Sequence, residues 1–119
     1  MRDDAVYLDY IAENIEIIEE YLQWVEGLPE KRLFSEDQMR QDAVLRRLET
    51  LGEAASHLST ELRARHPEID WRKIVDFRNI LAHGYMNIQT DRVWNNIVED
   101  LPALKAVIGI ELEGKDLDA

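Results

Sequence analysis

Residues 7–25 read YLDYIAENIEIIEEYLQWV, and this stretch decides the fold class. Its apolar residues recur every three or four positions, which is the spacing of one face of an α-helix. The residues of that face are Tyr7, Ile11, Ile15, Ile18, Leu22 and Val25. Glutamates lie between them, so the pattern predicts a long amphipathic first helix that ends near the glycine and proline of segment 27–29.

A second long helix is predicted after Ser35, because serine at this position and Gln38 three residues later have the form of a capping box. Its apolar face is Met39, Ala43, Leu45, Leu48, Leu51, Ala55 and Leu58. Gly52 lies inside this helix, where glycine costs on the order of 1 kcal/mol relative to alanine. We therefore expect Gly52 to mark a close approach of another helix.

Three further helical segments follow. A short helix over 60–66 is closed by Pro67, and a helix over 71–81 has Asp70 as a suitable N-cap. The last helix begins near residue 90, and Pro102 is expected to kink it or to begin a new turn.

The whole pattern predicts an all-α fold, an up-and-down bundle of four to five helices. No strand alternation, internal repeat or low-complexity segment interrupts the helical period. The expected organisation is one helical domain over residues 1–112, followed by a frayed acidic tail over residues 113–119.

Composition bounds the class of protein. The chain has 119 residues, of which 45% are hydrophobic and 33% charged, so a folded core is expected. There is no cysteine, which excludes disulfides and thiolate metal sites. No apolar run of membrane-spanning length and no secretory leader is visible. These features predict a soluble cytoplasmic protein with no membrane partner.

The net charge of -11 argues against a nucleic-acid partner, but the charges are unevenly distributed. Residues 1–30 contain nine acidic residues and one basic residue, whereas residues 63–92 contain six basic and four acidic residues. A locally neutral or positive groove on an acidic body can still bind phosphate, with strong salt dependence.

The basic segment contains the residues most suited to chemistry. Residues 78–85 read RNILAHGY, which places an arginine, an amide, an imidazole and a phenol together. Arg78 can hold a phosphate, and His83 can move protons near neutral pH. Asn79 can orient the imidazole or bind substrate, and Tyr85 can hydrogen-bond a phosphate or stack on a base. This set is sufficient for metal-independent RNA cleavage through the ribose 2′-hydroxyl.

Geometry limits how Arg78 and His83 can act together. Five residues apart on an ideal helix, they point about 140° away from each other. Either the helix unwinds around 82–84, or two copies of the segment face one another across a dimer axis. We favour the dimer, because it pools two arginines and two histidines in one groove.

Each residue also has an ordinary structural explanation. His83 can partner a helix dipole, and Arg78 can pair with nearby Asp76. Asn79 can cap the helix or bond a nearby carbonyl, and Tyr85 can lie at the edge of the core with a solvated hydroxyl.

Other site chemistries find little support in the sequence. Glu53 and His57 are four residues apart and can share a metal, but no third ligand is evident, so a simple helix-surface pair is favoured. A glycine-rich phosphate loop, GxSxG and HExxH are all absent. We therefore assign no metal and no cofactor.

The motif R-x4-H-x-Y formed by Arg78, His83 and Tyr85 resembles that of the HepT toxins, within the HEPN group of all-α ribonucleases. The resemblance extends over roughly residues 5–110. Further landmarks occur in the usual order: LGEAA at 51–55, HP at 66–67, Trp71, FRN at 77–79 and VW at 93–94.

The resemblance implies a HEPN helical bundle and a homodimeric, metal-independent endoribonuclease of a type VII toxin–antitoxin system. Arg78 and His83 correspond to its catalytic pair, and Asn79 to the polar residue after the arginine. The implied partner is an MntA-like nucleotidyltransferase antitoxin, which in some systems transfers AMP to the motif tyrosine, here Tyr85. Two alternatives stay open: an inactive nucleotide- or RNA-binding HEPN module, and a structural partner of a nucleotidyltransferase.

Overall fold

The computed structural model describes residues 2–24, 29–80 and 90–118, and the side chains of all of these except 2–3 and 115–118. The helices are α1 Arg2–Tyr21, α2 Lys31–Ser35, α3 Gln38–Ser56, α4 Thr60–Ala64, α5 Trp71–Asp76 and α6 Thr90–Asp118. A 3-10 turn, Phe77–Asn79, follows α5 directly. The described residues contain no strand, and the predicted all-α bundle is confirmed.

Helix α1 packs mainly against α3 and α6, and it runs antiparallel to both. Asp4, near the start of α1, bonds Ser59 just after α3, whereas the carbonyl of Tyr21 accepts from Arg40 near the start of α3. On the other side, Lys105 of α6 pairs with Glu19 at 2.8 Å. These three helices form the up-and-down frame, and α5 packs across α3.

The core is the apolar stripe of the helices, as the periodicity predicts, except that Met39 at the start of α3 is 83% exposed. Ile11, Ile15, Ile18 and Leu22 of the α1 region are at most 2% exposed. They meet Val44, Leu45, Leu48, Leu51 and Ala55 of α3, and Ile97, Leu101, Leu104, Val107 and Ile108 of α6. The three tryptophans, Trp24, Trp71 and Trp94, are partly buried and pack against this core.

The first helix ends earlier than predicted. α1 stops at Tyr21, and Gln23 adopts a left-handed backbone with φ of 49°. The amide of Trp24 donates to the carbonyl of Glu19 at 2.8 Å, and that of Gln23 to Glu20 at 3.2 Å, which is the Schellman pattern of a helix end. The helix is therefore closed by Gln23, before the glycine at position 27, which lies outside the described residues.

The predicted capping box at Ser35 is wrong. Ser35 ends the five-residue helix α2, which the sequence analysis did not anticipate. The N-cap of α3 is Asp37, whose carboxylate accepts from the amide of Arg40 at 3.1 Å. The N-cap predicted at Asp70 is confirmed, since its carboxylate accepts a hydrogen bond from the amide of Lys73.

The last helix is longer than expected. α6 continues through Pro102 as one helix, without beginning a new turn there, and extends to Asp118, beyond Glu113 where a frayed tail was expected. Within the described ranges, none of the helices has the length and apolar character needed to cross a membrane.

Candidate active site

The backbone of Arg78 rests directly on Gly52 of α3. A Cβ atom added to Gly52 would lie 2.5 Å from the Arg78 amide nitrogen, 2.9 Å from the Ile74 carbonyl oxygen and 3.0 Å from the Phe77 carbonyl carbon. Only glycine permits this contact without displacing backbone. The predicted close approach at Gly52 is confirmed, and the approaching segment is the one that carries the motif arginine.

Neighbouring residues of this segment point in opposite directions. Ile74 and Phe77 are 2% and 4% exposed and belong to the core, whereas the Arg78 side chain is 44% exposed. The apolar anchors and the Gly52 contact hold the backbone, and the guanidinium reaches solvent. Arg78 is thus a cation on a rigid support, as binding a phosphate requires.

Arg78 faces a carboxylate that the sequence analysis did not assign to it. Nη1 of Arg78 lies 3.9 Å from Oε2 of Glu53, and Oε1 of Glu53 lies 3.2 Å from Nε2 of His57. The His57 ring stacks on Tyr7, with centroids 4.7 Å apart and planes 14° apart. Side chains in contact therefore form a row from Tyr7 of α1, through His57 and Glu53, to Arg78.

Asp76, the sequence neighbour that could have paired with Arg78, bonds another residue. Asp76 makes no ion pair with Arg78 within 4.0 Å in the described structure; its Oδ1 instead accepts a hydrogen bond from Nδ2 of Asn79 at 3.2 Å. Asn79 is half-buried and bonds a side-chain carboxylate. The interpretation of Asp76 as the partner of Arg78 is wrong.

Arg78 and Asn79 lie together between two open grooves. One, of about 360 Å³, is lined by Arg63, Arg72, Val75 and Asp76 in addition to Arg78 and Asn79. The other, of about 520 Å³, is lined by Arg46, Glu49, Thr50 and Glu53 in addition to the same two residues. Two of the four predicted site residues, Arg78 and Asn79, therefore lie on one accessible surface.

His83 and Tyr85 lie outside the described residues, as does segment 82–84, where one alternative has the helix unwind. The convergence of Arg78 with His83, and of two copies of the segment, therefore stays a prediction. Among the described side chains, no group of three histidines or carboxylates is arranged to hold a metal ion. Glu53 and His57 form the simple helix-surface pair that was favoured.

A second histidine has a role that sequence reasoning missed. His66 is 9% exposed, and its Nε2 lies 2.5 Å from Oε2 of Glu111 on α6. Arg65 also donates to Glu111, at 2.7 Å. The hydrogen bond from Arg65, and then that from His66, lowers the pKa of the Glu111 carboxyl below its ordinary value, against the effect of burial. This cluster ties the end of α4 to α6.

The sequence contains a clue to the position of Glu53 but none to the pairing of His66 with Glu111. Glu53 follows Gly52 directly, so a close approach of the motif segment at Gly52 could have placed Glu53 beside Arg78. His66 and Glu111 are 45 residues apart and carry no local pattern that joins them.

Comparison with known proteins gives the family. The family described as Ribonuclease HepT-like matches residues 11–109. The chain is 36% identical over 107 residues to a probable ribonuclease HepT from Thermococcus cleftensis, covering 87% of this chain and 91% of that protein.

A protein of Methanocaldococcus jannaschii, named "Gamma-glutamylcyclotransferase and putative RNase", is also 36% identical over 107 residues, covering 90% of this chain. The chain spans only 46% of that relative's length. No solved structure matches the chain. The family match covers most of the helical bundle and includes the Gly52 contact and Arg78, so this chain belongs to the HepT-like ribonuclease family.

Proposed function

We propose that this chain is a metal-independent endoribonuclease whose active site is formed by Arg78 and His83 at the interface of a homodimer. The observation that carries the proposal is the mounting of Arg78. Its backbone is fixed against Gly52, its guanidinium is exposed, and open grooves lie on both sides. Membership of a ribonuclease family makes an RNA phosphodiester the natural ligand for such a cation.

The reaction is attack of a ribose 2′-hydroxyl on the adjacent phosphate. One imidazole removes the 2′-hydroxyl proton as the new oxygen–phosphorus bond forms, and a second protonates the departing 5′-oxygen as its bond to phosphorus breaks. The products carry a 2′,3′-cyclic phosphate and a 5′-hydroxyl. Arg78 stabilises the negative charge that develops on the phosphoryl oxygens.

Two copies of the chain supply the two imidazoles, one from each His83. A twofold axis beside segment 78–85 places the same residues of both copies around one groove. It also raises the local density of positive charge on a chain whose formal net charge is -11. Asn79, half-buried and held by Asp76, lies beside Arg78 and is proposed to contact the substrate.

The test is cleavage of a single-stranded RNA by the purified chain, compared with His83→Ala and Arg78→Ala. General acid–base catalysis contributes typically about 10²–10⁴-fold, so His83→Ala should lose activity by that order while its unfolding temperature is unchanged. Arg92→Ala is the control for loss of one positive charge. Identical products from wild type and His83→Ala would overturn the catalytic assignment. Binding of RNA that depends on Arg78 but yields no products would instead make the chain an RNA-binding module.

We further propose that the ribonuclease restrains growth and is controlled by an MntA-like nucleotidyltransferase antitoxin. AMP added to the Tyr85 hydroxyl would place a phosphodiester charge two residues from His83 and repel an RNA phosphate. Mass spectrometry after co-expression with such an enzyme tests this step. An unmodified Tyr85 in an inhibited complex would favour inhibition by simple occlusion.

A further inference from the structure

The two grooves beside Arg78 differ in charge. We call the groove lined by Arg63, Arg72, Val75 and Asp76 the basic groove, and the groove lined by Arg46, Glu49, Thr50 and Glu53 the mixed groove. Arg78 and Asn79 belong to both. An RNA strand whose scissile phosphate contacts Arg78 must continue along at least one of these two grooves.

Positive charge in the mixed groove is already neutralised. Nη1 of Arg46 lies 2.7 Å from Oε1 of Glu49, and the second carboxylate of that groove, Glu53, is the one beside Arg78. Two carboxylates thus face two guanidiniums. A polyanionic strand gains little from this surface, because each phosphate approaches carboxylates as closely as cations.

Positive charge in the basic groove is not neutralised in the same way. Three guanidiniums face one carboxylate, Asp76, which accepts a hydrogen bond from Asn79. Within the described side chains, neither Arg63 nor Arg72 has a carboxylate within 4.0 Å. This is the local excess of positive charge on an otherwise acidic chain.

One arginine of the basic groove, Arg63, is held by a backbone carbonyl. Nε and Nη2 of Arg63 donate to the carbonyl of Leu58 at 3.2 and 2.9 Å, which leaves three of its five N–H donors for other partners. The indole of Trp71 donates to the carbonyls of Arg63 and His66, and so fixes the junction between α4 and α5. Arg72 follows Trp71 and is exposed.

We propose that the basic groove binds the RNA strand next to the scissile phosphate, with Arg72 and Arg63 contacting its backbone phosphates. The inference rests on the proposed function and adds the path of the substrate. Contacts of this kind read charge and not base sequence, so the groove contributes affinity without sequence preference. Arg72 is the better residue to vary, because Arg63 also bonds the carbonyl of Leu58 in the link between α3 and α4.

The experiment measures binding of a fluorescent single-stranded RNA oligonucleotide to the full chain with His83→Ala, which prevents cleavage. Affinity is measured over a series of salt concentrations for this protein and with Arg72→Ala or Arg46→Ala added. Loss of one phosphate contact lowers the slope of log affinity against log salt by about 0.7 for a single strand. Arg72→Ala should show this change and bind the RNA several-fold more weakly at low salt.

Arg46→Ala is the matched control, since it removes one exposed arginine from the mixed groove and changes net charge equally. Arg46→Ala should leave the slope of log affinity against log salt unchanged. Arg72→Lys keeps the positive charge and should retain most of the wild-type slope. Equal effects of Arg72→Ala and Arg46→Ala, or no effect of either, would overturn the proposal, as would absence of RNA binding. Arg72-dependent binding by a wild-type chain that leaves the same RNA uncut would support the groove and refute the proposed nuclease.

Discussion

At residue scale, the central feature is a cation placed beside a carboxylate. Arg78 is 3.9 Å from Glu53, and both side chains are about half exposed, at 44% and 57%. An exposed pair of this kind is typically worth 0.2–1 kcal/mol, so it can hold the guanidinium without preventing exchange for a phosphate. In the proposed site, Glu53 would orient Arg78 when no RNA is bound and would compete with an RNA phosphate for it.

Removing that competition should strengthen RNA binding. Glu53→Gln keeps the size of the side chain and removes its charge, so we expect RNA to bind roughly two- to fivefold more tightly, from an interaction of about 0.5–1 kcal/mol. Fluorescence anisotropy with an RNA oligonucleotide in the His83→Ala background measures the change. Glu49→Gln, which releases Arg46, is the comparison. Weaker binding by Glu53→Gln would mean that orientation of Arg78 outweighs competition.

The sequence identifies candidate site residues, but it does not give the side chains that contact them. Arg78 and Asn79 were identified from the motif because their chemistry is readable from residue type. Glu53 was not assigned to Arg78, because the two are brought together by packing of the 3-10 turn Phe77–Asn79 on α3 and not by sequence spacing. Asp76, close in sequence, bonds Asn79 instead, since side-chain direction at the 3-10 turn decides which neighbours meet.

At the scale of elements, the contact of α3 with the motif segment determines where Arg78 lies. Gly52 makes it possible, and Ile74 and Phe77 anchor it in the core. Helices α1, α3 and α6 were predictable because their apolar stripes are long and regular. The cap at Asp37 and helix α2 were missed, because a five-residue helix has too few positions to show a period and Ser35 offered an equally suitable capping side chain.

Alanine substitutions at Gly52 and Gly109 test whether the motif segment packs closely on α3. A methyl group at Gly52 meets backbone at 2.5 Å, so Gly52→Ala should destabilise the fold by about 1–3 kcal/mol and displace Arg78. Gly109, in α6, has nothing within 4 Å of an added Cβ, so Gly109→Ala should instead stabilise by up to about 1 kcal/mol. Urea unfolding of both variants measures the difference. Equal stability of Gly52→Ala and wild type would contradict the close approach.

The early end of α1 gives a second prediction at this scale. Gln23 has a φ of 49°, a conformation that costs most non-glycine residues roughly 1–2 kcal/mol. Gln23→Gly should therefore raise the free energy of unfolding by about 0.5–1 kcal/mol. Thermal unfolding followed by circular dichroism measures it. A lower unfolding temperature would show that the glutamine side chain contributes more than its backbone strain costs.

At the scale of the whole molecule, long-range polar contacts join helices that the sequence could not connect. Asp4 caps the segment after α3 through Ser59, and Glu111 joins α6 to Arg65 and His66. Residues 55 and about 45 positions apart show no pattern that pairs them, so the predicted bundle lacked these ties. The predicted four to five helices fall short of the six in the described part of the chain, but the regular apolar faces of the long helices were sufficient to predict an all-α bundle.

The Glu111 cluster makes stability depend on pH in a defined direction. The folded pKa of Glu111 is lowered, chiefly by the hydrogen bond from Arg65, so its contribution is present above the unfolded value of about 4.3 and is lost as pH falls through the folded pKa. Glu111→Gln should be less stable than wild type near pH 7, by about 1 kcal/mol, and the difference should shrink in acid. Urea midpoints at pH 7 and pH 3.5 measure it. A difference that grows in acid would contradict the assignment.

The most direct measurement for the central claim, that two copies converge on one phosphate, is the activity of a mixed dimer. Wild-type and His83→Ala chains with different affinity tags are unfolded and refolded together, and the mixed dimer is purified through both tags and assayed for RNA cleavage beside the two homodimers. The mixed dimer holds one His83 where the proposed reaction uses two, so its activity should fall below that of the wild-type dimer by about 10²-fold or more. A mixed dimer that keeps about half of the wild-type activity would show that each copy cleaves alone and would contradict the account.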